Sequence, residues 1–198
     1  MSKLPHIAVL GGGESGLGAA LLAKKKGYTV FLSDGGTLKA SYRAKLKAAE
    51  IDFEEGGHSL ERLLKADVVV KSPGIPKEAK AVKTLQEAGK EIISEVEWGY
   101  RHCQGIIVAI TGTNGKTTTT HLVHHILKQA GLNVALVGNV GFSFSGSIAE
   151  QDHDYYALEV SSFQLDDIVD FKPKVAIVLN VTPDHLDRYQ NDPLKYYA

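Results

Sequence analysis

The stretch that most constrains this chain is Ile106-Ile107-Val108-Ala109-Ile110-Thr111 running into Gly112-Thr113-Asn114-Gly115-Lys116-Thr117-Thr118. An unbroken apolar run of this length reads as a buried parallel strand rather than a half-exposed one. A turn with two glycines follows, then Lys-Thr at the start of an amphipathic helix. That order is the grammar of a phosphate-binding loop. Glycines let backbone N–H groups curl round an anion, and the helix N-terminus adds a positive field. In such a loop the lysine, here Lys116, reaches the outer phosphates and the Thr117 hydroxyl ligates magnesium. The spacing is a variant of G-x-x-x-x-G-K-[ST]: Ile110 stands where the first glycine would be, and Gly112 is the first glycine instead. The competing reading is a glycine-rich strand-to-helix turn that binds nothing.

A second turn of related design lies near the start. His6-Ile7-Ala8-Val9-Leu10 reads as a short buried strand, and Gly11, Gly13 and Gly16 after it match G-x-G-x-x-G. A helix is expected from about Ser15 to Lys26, with Gly16, Ala19, Ala20 and Ala23 small enough to lie close on a sheet. The next strand, Thr29 to Ser33, ends at Asp34, near where such folds place an acid to meet a ribose. This is a dinucleotide- or nucleotide-binding beginning. The pattern continues with a helix over 38–50, a strand at Val68-Val69-Val70, the rigid loop Ser72-Pro73-Gly74-Ile75-Pro76, a helix over 77–88 and a short strand at Ile92-Ile93. Loops at the carboxyl ends of parallel strands are where ligands bind, although these residues taken alone favour an ordinary proline-stiffened turn.

The totals exclude several classes. With 198 residues, 43% of them hydrophobic, the chain has enough apolar material for one large or two small cores. Twenty-two Lys and Arg against 23 Asp and Glu give a net charge of −1, so a nucleic-acid partner held by a basic field is not expected. A single cysteine, Cys103, rules out an internal disulfide and points to a reducing compartment. No signal-peptide core is visible and no apolar run is long enough to span a bilayer, so a cytoplasmic chain without a membrane partner is expected.

The second half carries further candidates. His121, His124, His125 and Lys128 fall on one face of the helix after the phosphate loop, with Leu122, Val123, Ile126, Leu127 and Ala130 opposite. The histidines are therefore expected on a solvated face rather than on a metal. Val134 to Val137 reads as a strand ending in Gly138-Asn139-Val140-Gly141, where the glycines suggest backbone held close to a ligand, the alternative being a bare turn. Tyr155 to Val160 is a strand with Glu159 near its end. An acid so placed helps hold magnesium beside a phosphate loop; alone it reads as a solvated strand-end acid. Val175 to Leu179 is a last strand, and the loop from Asn180 to Arg188 is dense in groups able to bind metal or phosphate.

Gly-Thr-Asn-Gly-Lys-Thr resembles the ATP loop of the Mur ligases and folylpolyglutamate synthetases, which form amide bonds. Ser72-Pro73-Gly74-Ile75, Gly138-Asn139-Val140-Gly141, Leu158-Glu159-Val160-Ser161-Ser162-Phe163-Gln164-Leu165 and Asp184-His185-Leu186-Asp187-Arg188-Tyr189 extend the likeness to the Mur ligases over essentially the whole chain. The resemblance implies an α/β chain: a Rossmann-like parallel-sheet N-terminal domain over 1–93, then a P-loop α/β domain of the Mur ligase central type over 94–198, cut short. It implies an ATP-dependent ligase of peptidoglycan synthesis that adds D-glutamate to UDP-N-acetylmuramoyl-L-alanine through an acyl phosphate. ATP would sit on Gly112, Thr113, Asn114, Gly115, Lys116, Thr117 and Thr118. Mg2+ would be held by Thr117 and Glu159, with His185 on a second ion. Lys116, Glu159 and His185 would be the catalytic set. Glu14, Ser15, Asp34, Ser72, Pro73 and Gly74 would meet the UDP part of the substrate, and Asn139, Ser161 and Gln164 the muramoyl-alanine carboxylate. Family members continue past the position of Ala198, so 1–198 by itself is expected not to complete the reaction. An NAD(P)-dependent oxidoreductase and a non-catalytic nucleotide-binding module are the readings from other classes.

Overall fold

The computed structural model describes residues 5–184 and residue 192. In chain order the elements are β1 (His6–Leu10), α1 (Glu14–Lys25), β2 (Thr29–Ser33), α2 (Ala40–Ala48), β3 (Asp52–Glu54), α3 (Leu60–Leu63), β4 (Val68–Lys71), α4 (Lys80–Glu87), β5 (Glu91–Ser94) and α5 (Glu95–His102). There follow β6 (Ile106–Thr111), α6 (Lys116–Gln129), β7 (Val134–Gly138), α7 (Phe144–Glu150), β8 (Tyr155–Glu159), α8 (Ser162–Leu165) and β9 (Val175–Val178). Packing sorts them into two compact units. The first holds everything up to Cys103 together with Phe142–Asp152 and Phe163–Phe171; the second holds Gln104–Gly141, His153–Ser162 and the stretch from Lys172 onward. These units interleave along the chain, so grouping by contact divides it differently from a contiguous cut after residue 93.

In the first unit β3-β2-β1-β4-β5 form one parallel sheet. β1 lies at its centre and is buried from Ile7 to Leu10, which is why its sequence is apolar without alternation. Strand order reverses at β1, between β2 and β4, and the Gly11–Gly16 turn leaves β1 at that switch. α1 starts hard against that turn: a Cβ on Gly16 would lie 1.8 Å from the Gly11 carbonyl oxygen. Farther along α1, a Cβ on Gly18 would meet Ser143 Oγ at 2.1 Å, so α7 packs on α1 through small residues.

Two carboxylates on α5 organise the rest of this unit. Glu97 is fully buried, and its Oε2 accepts the N–H groups of Val169, Asp170 and Phe171 at 2.9, 3.0 and 2.9 Å while Oε1 takes Arg101 Nε at 2.9 Å. Burial opposes its charge, but the Val169 N–H and Arg101 prevail, with the Phe171 and Asp170 N–H groups, and hold the carboxyl below the usual range. Glu95 differs. Its Oε1 accepts Ser145 N at 2.5 Å, yet its Oε2 is buried without a hydrogen-bond partner. Burial, only partly offset by Ser145, pushes this carboxyl up to about 7.

In the second unit the sheet is β7-β8-β6-β9, again parallel throughout. β6 is flanked on both sides, but the edge strand β9 is open: Val175 and Val178 are 45% and 61% exposed. α6 departs from the sequence expectation. Thr120 is its buried residue, with Val123, His124 and Leu127 half-buried, while Leu122 and Ile126 are 55% and 56% exposed. The face toward the sheet thus runs through Thr120, Val123, His124 and Leu127, rotated from the apolar stripe so that Leu122 and Ile126 are left out of it. Burial accordingly lowers the pKa of His124, while His121 and His125 are exposed as expected. Among the described residues no three His, Cys, Asp or Glu side chains gather as a metal group, and no helix is long and apolar enough to cross a membrane.

The Glu95 carboxyl makes a pH prediction. Its folded value near 7 lies above its ordinary 4.5, so between those pH values the native state binds the extra proton and stability falls as pH rises. Glu95→Gln should match the wild type in chemical denaturation at pH 5 and exceed it at pH 8, by a few kcal/mol at most. Equal stability changes at both pH values would mean that Glu95 ionises normally.

Candidate functional site

The parallel register of β6 and β8 sets Ile110 beside Glu159. Both strands therefore end at the same edge, where the Gly112–Thr118 loop begins. The loop is held by the chain that leaves β9. Thr113 N donates to Asn180 O (3.0 Å), Asn114 N to Asn180 Oδ1 (2.9 Å), and Asn180 Nδ2 back to Asn114 O (2.9 Å). Thr113 Oγ1 donates to Thr182 O and accepts from Thr182 N, both at 2.9 Å. Asn180 and Thr182, from the stretch whose groups read in sequence as able to bind metal or phosphate, buttress the loop.

Gly115 takes φ +85° and is the N-cap of α6, a left-handed conformation that glycine adopts without a Cβ penalty. Lys116 Nζ reaches back across the loop, donating to Gly112 O at 2.7 Å and Thr113 O at 2.8 Å. The ammonium thus sits over the loop's own concavity, where an anion would draw it by charge. Thr117 and Thr118 are exposed on the first turn of α6.

Glu159 is 1% exposed, so it is not the solvated strand-end acid that its position permits. Asn139 Nδ2 donates to its Oε1 at 2.9 Å, and Asn139 N to its carbonyl at 2.9 Å. Oε2 is buried with no hydrogen-bond partner. A carboxylate oxygen left so is costly unless a cation meets it. The donor set therefore fits a magnesium site: a buried carboxylate oxygen at the strand end beside a phosphate loop that carries Thr117. His185, the remaining expected ligand, lies outside the described residues. The glycine of Gly138-Asn139 turns out to serve β8: a Cβ on Gly138 would lie 2.1 Å from the Glu159 carbonyl oxygen.

In the first unit the expected substrate residues converge on the Gly11–Gly16 turn. Ser72 Oγ donates to Gly11 O (3.1 Å), tying the Ser72-Pro73-Gly74 loop to it. Asp34 Oδ2 accepts Gly12 N (2.5 Å) and its Oδ1 accepts Gly36 N (2.7 Å), so this carboxylate ties two loops together before any ligand arrives. Glu14 is exposed and Ser15 half-buried on the first turn of α1. Of the three carboxylate-path candidates, Asn139 is exposed beside Glu159, Ser161 is half-buried in the second unit, and Gln164 is 2% exposed in the first.

Sequence reasoning missed one support. Lys71, at the end of β4, is 3% exposed, donates to Ile75 O at 2.9 Å and pairs with Asp167 Oδ2 at 3.0 Å. It closes the Ser72–Pro76 loop from below. The signal was a lysine ending a run of three valines, inside what had to be a buried strand.

Comparison with known proteins gives the family and the fold. Residues 6–81 match the MurD N-terminal domain and residues 110–196 the Mur ligase middle domain. The chain belongs to the Mur ligase family. Its relatives in sequence are UDP-N-acetylmuramoylalanine–D-glutamate ligases: that of Bacteroides fragilis is 52% identical over 188 residues, 95% of this chain and 42% of the relative. That of Cytophaga hutchinsonii is 53% identical over 186 residues, 93% of this chain and 41% of the relative. The Christiangramia forsetii protein is 50% identical over 192 residues, 97% and 43%. The chain thus spans less than half the length of these relatives. Among solved structures, the UDP-N-acetylmuramate:L-alanyl-γ-D-glutamyl-meso-diaminopimelate ligase from Neisseria meningitides superposes with a TM-score of 0.62 at 24% identity, covering 98% of this chain and 67% of that one. That likeness is one of fold.

The buttress of the phosphate loop can be tested directly. Asn180→Ala removes both side-chain bonds to Asn114 and should speed amide exchange at Asn114 by about tenfold, with α1 amides unaffected. Unchanged exchange would mean that something else holds the loop.

Proposed function

We propose that this chain carries the UDP-substrate and ATP sites of an ATP-dependent ligase that joins D-glutamate to UDP-N-acetylmuramoyl-L-alanine in cytoplasmic peptidoglycan synthesis. The observation that carries the reading is the Gly112–Thr118 loop with the unpartnered Oε2 of Glu159 at the same edge of one parallel sheet. The γ-phosphoryl group of ATP passes to the muramoyl-alanine carboxylate, giving an acyl phosphate and ADP; the D-glutamate amine then displaces phosphate to form the amide.

Two anions must meet in the first step, so charge neutralisation is the main demand on the protein. The loop N–H groups and the N-terminus of α6 cradle the phosphates, and Lys116 leaves its two loop carbonyls to follow the charge. Thr117 and Glu159 would hold magnesium, which when bound supplies further positive charge beside the transferring group. Asn139 occupies Oε1 of the Glu159 carboxylate, leaving Oε2 as the oxygen that would take the cation. His185 is proposed for a second ion. In the first unit Glu14, Ser15, Asp34, Ser72, Pro73 and Gly74 are proposed for the UDP part, and Asn139, Ser161 and Gln164 for the carboxylate that is phosphorylated.

Lys116→Ala should cost at least about tenfold in Mg-ATP affinity by titration calorimetry, the scale of a lost charge-assisted bond, and leave UDP-N-acetylmuramoyl-L-alanine binding within error. Equal loss of both ligands from a folded variant would refute the assignment of two separate anion sites. Glu159→Gln keeps the shape but removes the charge. It should flatten the magnesium dependence of ATP binding, and an unchanged magnesium titration would remove Glu159 from the metal site.

A further inference from the structure

Beyond the residues named so far, the loops after β2 and β3 are joined through their backbones. Asp34 N donates to Glu54 O (3.1 Å), Gly56 N to Gly36 O (2.9 Å) and Gly57 N to Asp34 O (3.3 Å). Beneath them the buried Ser33 Oγ lies 2.7 Å from Glu54 Oε1 and 2.7 Å from His58 Nδ1. A hydroxyl has one hydrogen to share between those two close neighbours and the more distant Gly57 O at 3.4 Å. Glu54 also accepts Ser59 N at 2.7 Å and Ser59 Oγ. Burial opposes its charge, but the bonds from Ser59 and Ser33 outweigh it and hold the carboxyl below the usual range. An ionised carboxylate only accepts, so the Ser33 hydrogen goes to Glu54. Ser33 Oγ is then left with lone pairs for His58, and Nδ1 must carry the ring hydrogen. In the neutral imidazole Nε2 is therefore an acceptor.

That acceptor is placed at the nucleoside end of the fold. Nε2 has no hydrogen-bond partner among the described residues and lies 3.1 Å from where a Cβ on Gly35 would stand. In doubly wound sheets the phosphates sit at the first helix N-terminus, here α1, and the nucleoside falls over the carboxyl end of the neighbouring strand, here β2. An imidazole nitrogen that only accepts has nothing to donate to a phosphate, so what it takes is a donor.

We propose that His58 is a nucleoside-binding residue whose Nε2 accepts a hydrogen bond from the uracil N3–H or the ribose 2′-hydroxyl of the UDP-substrate. The proposal rests on the first unit being the UDP-substrate unit. Ser33 and Glu54 act through it as positioning residues, fixing the tautomer.

The test is titration calorimetry with UDP, N3-methyl-UDP, 2′-deoxy-UDP and Mg-ATP on the wild type, His58→Phe and His58→Gln. His58→Phe, which has no acceptor, should bind UDP about tenfold more weakly and Mg-ATP unchanged, while the Gln amide oxygen restores most of the loss. The wild type should discriminate against one of the two UDP analogues, naming the donor, and His58→Phe should bind that analogue and UDP alike. Unchanged UDP affinity in His58→Phe, or discrimination that survives in it, overturns the proposal alone. Absence of UDP binding by the wild type overturns the UDP reading of the first unit and this proposal with it. Far-ultraviolet circular dichroism and amide exchange in α1 and β2 report whether the first unit of His58→Phe is folded; if it is not, the His58→Gln and wild-type analogue titrations decide, and a wild type that tolerates both analogues equally overturns the proposal.

Discussion

The pairing of Ile110 with Glu159 is the constraint on which the second unit depends. Parallel strands end at the same edge, so a single register choice delivers a phosphate loop and a buried carboxylate to one place. A slip by one residue would turn the Glu159 side chain to the opposite face of the sheet. The register is protected on both flanks: Gly138 opposite Glu159 has no side chain to push the strands apart, and Asn139 clasps the carboxylate from the next turn. The loop itself is zipped to Asn180 and Thr182 rather than left to its glycines.

The first unit is built on the opposite use of the same chemistry. There acids are spent on the fold: Glu97 gathers three successive N–H groups, Asp34 joins two glycine turns, and Glu54 orders Ser33, Ser59 and, through Ser33, His58. Each such bond replaces water on a group that burial would otherwise penalise. Glu95 and Glu159 stand apart because each keeps one buried oxygen without a partner. For Glu95 the result is a carboxyl that holds its proton near neutrality. For Glu159 it is the oxygen we propose for a cation.

Much of this was legible in the amino-acid order because buried parallel strands and glycine turns leave local signatures. β1, β2 and β6 and the two glycine loops are visible as apolar runs that empty into Gly-rich turns. β3 was not visible, since Asp52-Phe53-Glu54 is three residues with one aromatic, and its place is set by pairing with β2. The facing of α6 was misjudged because the sheet takes Thr120 and His124 and leaves Leu122 and Ile126 exposed, a tertiary choice that helical periodicity does not encode. The roles of Asn180, Lys71 and His58 were equally hidden. They depend on contacts 66, 96 and 25 residues away in sequence, and nothing local announces such partners.

The central claim is that each parallel sheet carries its own anionic ligand, a UDP-substrate on the first and Mg-ATP on the second. Thermal denaturation of the chain with UDP-N-acetylmuramoyl-L-alanine, Mg-ATP, both together, and NADPH measures it in one experiment, because each ligand stabilises only a fold that binds it. The account predicts that the UDP-substrate and Mg-ATP each raise Tm, that the two together raise it further, and that NADPH leaves it unchanged. A rise with NADPH, or competition between the UDP-substrate and Mg-ATP for one site, would contradict it.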